Sequence, residues 1–180
     1  MEYTFTLKYQ LSADDCNLDE IVERLGAAGC DDALIGIGRP GNIALEFTRE
    51  ALNAEDALHS ALADVKNCIE SAKLIEAAPD FVGLTEVAEL VGVSRQNMRK
   101  LRVTNPTSFP VPVHEGSAVT WHLADLLEWL QAKGGYKMAS SMLEVARTAR
   151  QINTAKEVAQ LQQTQLMCAQ DHVRYSVDAS

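Results

Sequence analysis

Tyr3, Phe5, Leu7, Tyr9 and Leu11 are large and apolar, and between them stand Thr4, Thr6, Lys8 and Gln10. A period of two predicts a half-buried strand, because successive side chains of an extended chain point to opposite faces. The pattern then lengthens. In NLDEIVERLGAAG a capping residue, Asn17, precedes acids in the first turn, and Leu18, Ile21, Val22 and Leu25 fall on one helical stripe that Gly29 ends. The apolar runs ALIGIG and NIALEFT flank RPGN, Arg39 to Asn42. A Pro-Gly pair between two such runs predicts a hairpin. NAEDALHSALADVKNCI sets Leu58, Leu62, Val65 and Ile69 at spacings of 4, 3 and 4, a second helix. AKLIEAAP closes with a short strand stopped by Pro79.

The order β-α-β-β-α-β predicts fold class α+β, with a ferredoxin-like domain over residues 1–79. RNA-recognition modules share that order, but they need exposed aromatic residues on the central strands and a basic surface. Here Phe47 is the single aromatic of NIALEFTRE and keeps register with Ile43 and Leu45, which places it in the core. Residues 1–79 also hold 6 Lys+Arg against 15 Asp+Glu. RNA binding is therefore not expected of this half; a dimerisation or partner-docking role is.

Pro79-Asp80 marks a boundary, and residues 80–135 form a second predicted domain. In LTEVAELVGVSRQNMRKL two helix-like runs break at VGVS. Leu84, Val87, Ala88 and Val91 would be buried by the first run. Gly92 supplies the left-handed residue that ends it, Val93 plugs the corner, and Ser94 caps the second run by accepting a backbone N–H. Placing Met98 and Leu101 inward at about 100° per residue puts Gln96, Arg99, Lys100 and Val103 opposite, with Arg95, Asn97 and Arg102 on the flanks. Arginine suits guanine, and Asn or Gln suits adenine, in a major groove.

Charge changes the weight of that face. The 180 residues carry 16 Lys+Arg against 25 Asp+Glu, yet no acid occurs between Glu89 and Glu115. A merely solvated face would carry both signs. Instead Arg95–Arg99 and Arg99–Arg102 are like-charge neighbours, each unfavourable by about 0.2–0.5 kcal/mol. Contact with double-stranded DNA is the stronger expectation.

LTEVAELVGVSRQNMRKL, followed by FPVPV and TWHLADLLEWL, resembles the winged helix-turn-helix of AlpA-like and excisionase-type regulators, related to the MerR-like DNA-binding domain, over about Val82 to Leu130. The resemblance implies a DNA-binding regulator or recombination accessory with Ser94 to Arg102 as recognition helix. It also implies a wing from Val111 to Trp121, with His114, Gly116 and Ser117 near the tip. The tip carries Glu115 where a basic residue is expected, and the linker RVTNPTS is longer than the family pattern. The expected DNA-binding residues are thus Ser94, Arg95, Gln96, Asn97, Arg99, Lys100, Arg102, His114 and Ser117.

From Met138 to about Gln170 no Gly or Pro interrupts an Ala-, Gln- and Met-rich run, which predicts one long helix for oligomerisation over residues 136–170. Met138, Met142, Val145, Ala149 and Ile152 would form its seam, and residues 171–180 a disordered tail. Trp121 and Trp129 are expected to pack the wing and the following helix on the core.

The four cysteines, Cys16, Cys30, Cys68 and Cys168, form no CxxC pair, so neither zinc nor redox chemistry is suggested. His114 and His122 are poorly spaced for a metal, and no cofactor is expected. No Gly-rich phosphate loop, nucleophile elbow or HExxH occurs, so no catalysis is expected. The pairs Asp14-Asp15 and Asp31-Asp32 read as helix-boundary or loop residues. MEYTFTLKYQ lacks the basic-then-apolar pattern of a signal peptide, and no run approaches a membrane span, so a cytoplasmic protein is expected. The chain is thus expected to be a homodimeric, sequence-specific transcription regulator. The alternative is an adaptor or architectural subunit of a recombination or defence complex that docks a protein partner through its acidic N-terminal domain.

Overall fold

The period of two survives in space. Along β1 (Glu2–Gln10) Tyr3, Phe5, Leu7 and Tyr9 are buried, while Thr4 and Gln10 are exposed. The computed structural model describes residues 1–13, 15, 17–37, 39 and 41–177, with 18, 37 and 167–177 described by backbone alone. They belong to a mixed α/β chain of six helices and two antiparallel sheets. The chain divides into two units, Met1–Arg150 and a second that begins at Gln151. The boundary expected at Pro79-Asp80 thus falls inside the first unit.

The first sheet is ordered β2-β3-β1-β4, with β2 Ala33–Ile37, β3 Asn42–Glu50 and β4 Lys73–Ala78. Its register sets Phe5 opposite Phe47 and Leu7 opposite Leu45. The two phenyl rings stack with centroids 5.4 Å apart. All the aromatic residues of β1 and β3 are buried. The opposite face carries Thr4, Thr6, Lys8, Glu46 and Thr48, without an aromatic ring.

Helices α1 (Leu18–Ala27) and α2 (Ala54–Cys68) cover the apolar face. Three details differ from the helix patterns. Val22 is exposed, while Ile21 and Leu25 are buried. Asn17 stands at the α1 N-cap, but its amide donates to Glu20 Oε1 at 2.8 Å instead of accepting a backbone N–H. Leu62 is only half-buried, and Ala54, Ala57 and Ala61 complete the α2 seam with Leu58 and Val65. Asp14, Cys16 and Pro40 of the expected turn lie outside the described residues, as do the side chains of Leu18 and Cys168. Asp15 and Asp32 act as ion-pair partners, of Arg24 at 2.9 Å and Arg49 at 2.7 Å. Cys30 and Cys68 are free thiols.

The second sheet, ordered β5-β7-β6, contains a strand that periodicity could not reveal, β5 (Phe81–Val82), beside β7 (Val119–His122) and β6 (His114–Glu115). Asp80, just before β5, is fully buried. Its carboxylate lies 2.7 Å from His122 Nδ1, and its carbonyl accepts the Leu123 N–H at 2.7 Å. Residue 80 is therefore a buried fastening between strands and not part of an open linker. Of FPVPV only Phe109 is buried; Val111 and Val113 are exposed.

Helices α3 (Leu84–Leu90), α4 (Arg95–Thr104) and α5 (Leu123–Lys133) enclose a second core built on Val87, Met98, Leu101, Trp121 and Leu127. Trp129, half-buried, sets its ring 5.0 Å from Phe109. Helix α6 (Ser140–Val177) adds Leu143 and Ala146 to this core. It continues past residue 170, where the sequence pattern ended it; residues 178–180 lie outside the described residues. Among the described residues no helix is long and apolar enough to cross a membrane.

Candidate nucleic-acid interface

The α3–α4 corner follows from three residues. Gly92, at φ 69°, adopts the left-handed conformation that turns the chain after α3. Val93 N–H then donates to Ala88 O at 2.9 Å, which closes the corner over a buried, small Ala88. Ser94 stands at the N-cap of α4 and its Oγ accepts the Asn97 N–H at 3.1 Å. At the far end Asn105 Nδ2 donates back to Leu101 O at 2.8 Å. The start of α3 is held by Glu86, whose Oε2 accepts the Gly83 N–H at 2.6 Å.

With both ends fixed, the orientation of α4 is set by Met98 and Leu101, the two residues it buries. Arg95, Gln96, Asn97, Arg99 and Lys100 are all exposed. Around the axis, Arg95, Arg99 and Arg102 share one flank, Asn97 and Lys100 the other, and Gln96 lies between. The basic and amide side chains thus form one continuous outward surface.

The arginine flank borders a groove of about 680 Å³. Arg95, Arg99 and Arg102 line one wall, and Thr85 of α3 with Ser117 and Val119 of the β6–β7 hairpin line the other. His114 is exposed on β6, its imidazole close to Gly116. Ser117 therefore shares a groove with the arginines, whereas His114 does not line it.

Arg102 departs from the expectation of an unpaired basic face. Its Nη2 donates to Glu115 Oε1 at 2.7 Å, and its guanidinium carbon lies 5.0 Å from the Trp121 ring centroid. The acid missing from the local sequence arrives across the hairpin, so this charge is already answered.

Arg24, Arg49, Arg147 and Arg150 also hold carboxylates. Among the described residues Arg95, Arg99 and Lys100 form no ion pair, although acids outnumber bases in the chain.

On the other flank, Asn97 borders a second groove of about 690 Å³ with Lys133, Gly134, Tyr136 and Lys137. The sequence reading missed these lysines, together with Thr85. A Lys on either side of a Gly-Gly pair, after the last helix of a suspected DNA-binding domain, was the available signal. Among the described residues no group of three or more His, Cys, Asp or Glu is placed to hold a metal ion.

Comparison of the chain with protein-family models, with curated proteins and with solved structures finds no match.

Proposed function

We propose that this protein binds double-stranded DNA in a sequence-specific way and acts as a homodimeric transcription regulator, with α4 entering the major groove. The carrying observation is the unpaired outward face of α4, Arg95, Gln96, Asn97, Arg99 and Lys100, in a chain whose other arginines are largely held by carboxylates. Leaving cations exposed and uncompensated beside amides suits a surface that meets phosphates and base edges. In this reading α3 and α4 form a helix-turn-helix and the β6–β7 hairpin is its wing, as the resemblance to AlpA-like and excisionase-type regulators implies. The order β2-β3-β1-β4 of the first sheet supports a ferredoxin-like reading of residues 1–79.

One such module makes few base contacts. A dimer would double them and read half-sites about 34 Å apart, one turn of the duplex.

Selecting bound sequences from a random duplex library tests the reading, because a reader of base edges enriches a common sequence. On the selected site Arg99→Ala should weaken binding by about 1–3 kcal/mol, the worth of a bidentate guanine contact. Equal recovery of all sequences would reject sequence-specific reading.

A further inference from the structure

We propose that the groove on the Asn97 side of α4 is a second phosphate-binding edge, in which Lys133 and Lys137 hold the backbone of the DNA strand opposite the one met by the arginine-lined groove. The inference rests on the DNA-binding reading of α4 and adds a site on elements outside the helix pair.

An α-helix with its side chains is about 10–12 Å across and a B-form major groove is about 12 Å wide. A helix seated there presents each flank to one phosphate rail. The Arg95–Arg99 flank opens on the first groove. The other flank, beginning at Asn97, opens on the second, about 690 Å³, walled by the α3–α4 corner and by the chain leaving α5.

Three features make that second groove suited to phosphate. No carboxylate lines it, and among the described residues neither Lys133 nor Lys137 forms an ion pair. Lys133 is propped and not neutralised, with its Nζ 5.2 Å from the Trp129 ring centroid and 3.4 Å from Asn105 Oδ1. An ammonium over an aromatic face is held in place while it keeps its charge. The segment between the lysines is anchored at two points: Gly134, at φ 78°, donates its N–H to Leu130 O at 3.0 Å, and Tyr136 packs on the second core. Lys133 thus precedes a hydrogen-bonded Gly134, and Lys137 follows the packed Tyr136, both beside Asn97.

The test compares the wild type with K133Q/K137Q, and with K66Q/K73Q as a control carrying the same charge change in the acidic half. Binding to a pool of random-sequence duplexes is followed by fluorescence anisotropy from about 50 to 200 mM salt. The bound fraction is sequenced, and phosphate ethylation interference maps each strand. K133Q/K137Q should flatten the log–log salt slope by about 1.8 per bound protomer, about 3.6 for a bound homodimer, at about 0.9 per phosphate contact. On a duplex of the enriched sequence it should lose interference on only one strand of each half-site, and leave the enriched sequence and the melting temperature unchanged.

A wild type without salt-dependent duplex binding overturns the DNA reading and this site with it. A wild type that binds while K133Q/K137Q keeps its slope, or loses no more than K66Q/K73Q does, overturns the second edge alone. A changed sequence preference overturns the assignment to phosphate.

Discussion

Arg102 reaches across from α4 to Glu115 on β6, Nη2 to Oε1 at 2.7 Å, and so joins the C-terminal half of the helix to the hairpin beside it. The guanidinium also lies over Trp121, whose indole N–H donates to Pro110 O at 3.0 Å. The arginine nearest the hairpin is therefore spoken for, while Arg95 and Arg99 are not. On the DNA-binding reading, Glu115 removes one cation from the phosphate-facing surface. Glu115→Gln should release it: the salt slope of duplex binding should steepen by about 0.9 per bound protomer, one added phosphate contact each. Stability should change by no more than about 1 kcal/mol, since Glu115 is largely exposed. An unchanged slope in the intact variant would mean that Arg102 stays on Trp121 without its acid.

The α3–α4 corner separates two kinds of local cost. Ser94→Ala removes the acceptor of the Asn97 N–H and should lower the unfolding free energy by about 1 kcal/mol. Gly92→Ala meets no heavy atom within 4 Å of the added Cβ, so its cost is the left-handed backbone alone, about 1–2 kcal/mol. Gly92→Asn should lose less, because Asn tolerates that conformation. Urea midpoints of the three variants check the order.

Local chemistry made much of this fold legible. Alternation marked β1, the Gly92–Ser94 pair marked the corner, and Met98 with Leu101 oriented α4, because each is decided within a turn or two of chain. The rest depended on contacts between distant residues. Asp80 meets His122 and Arg102 meets Glu115 only after the second sheet forms, and β5 is too short for a period. The same distance hid the second groove, since Asn97 and Lys137 become neighbours only when α5 lies beside the corner.

Alkaline pH should loosen the first core. Burial pushes the Cys30 thiol up to about 11 from an ordinary value of about 9, and raises the buried Tyr9 phenol well above its ordinary 10. Both groups prefer the neutral form when folded. Their contribution is complete below about pH 9 and is lost as pH rises, because the unfolded chain ionises first. Unfolding midpoints should therefore fall steadily above about pH 9. Among the described residues the Tyr9 hydroxyl also has no hydrogen-bond partner. Tyr9→Phe removes that unsatisfied group, so it should not destabilise at neutral pH and should blunt the alkaline loss.

The proposed homodimer has a natural place on α6, and the structure dictates where to cut. Leu143, Val145, Ala146 and Ala149 are buried, so a chain ending at Gly135 would strip part of its own core. A chain ending at Thr154 keeps those residues. What it loses is a helical stretch whose side chains from Glu157 to Leu166 are all exposed, Val158, Leu161 and Leu166 among them. On the homodimer reading, these exposed apolar side chains are what a second copy would cover. Light scattering should find the full chain dimeric and the chain ending at Thr154 monomeric, with an unchanged urea midpoint in dilute solution. On duplex DNA the shortened chain should lose its preference for paired half-sites while still enriching a single one. A shortened chain that remains dimeric would move the contact into residues 1–154, where the polar open face of the first sheet is the next surface to mutate.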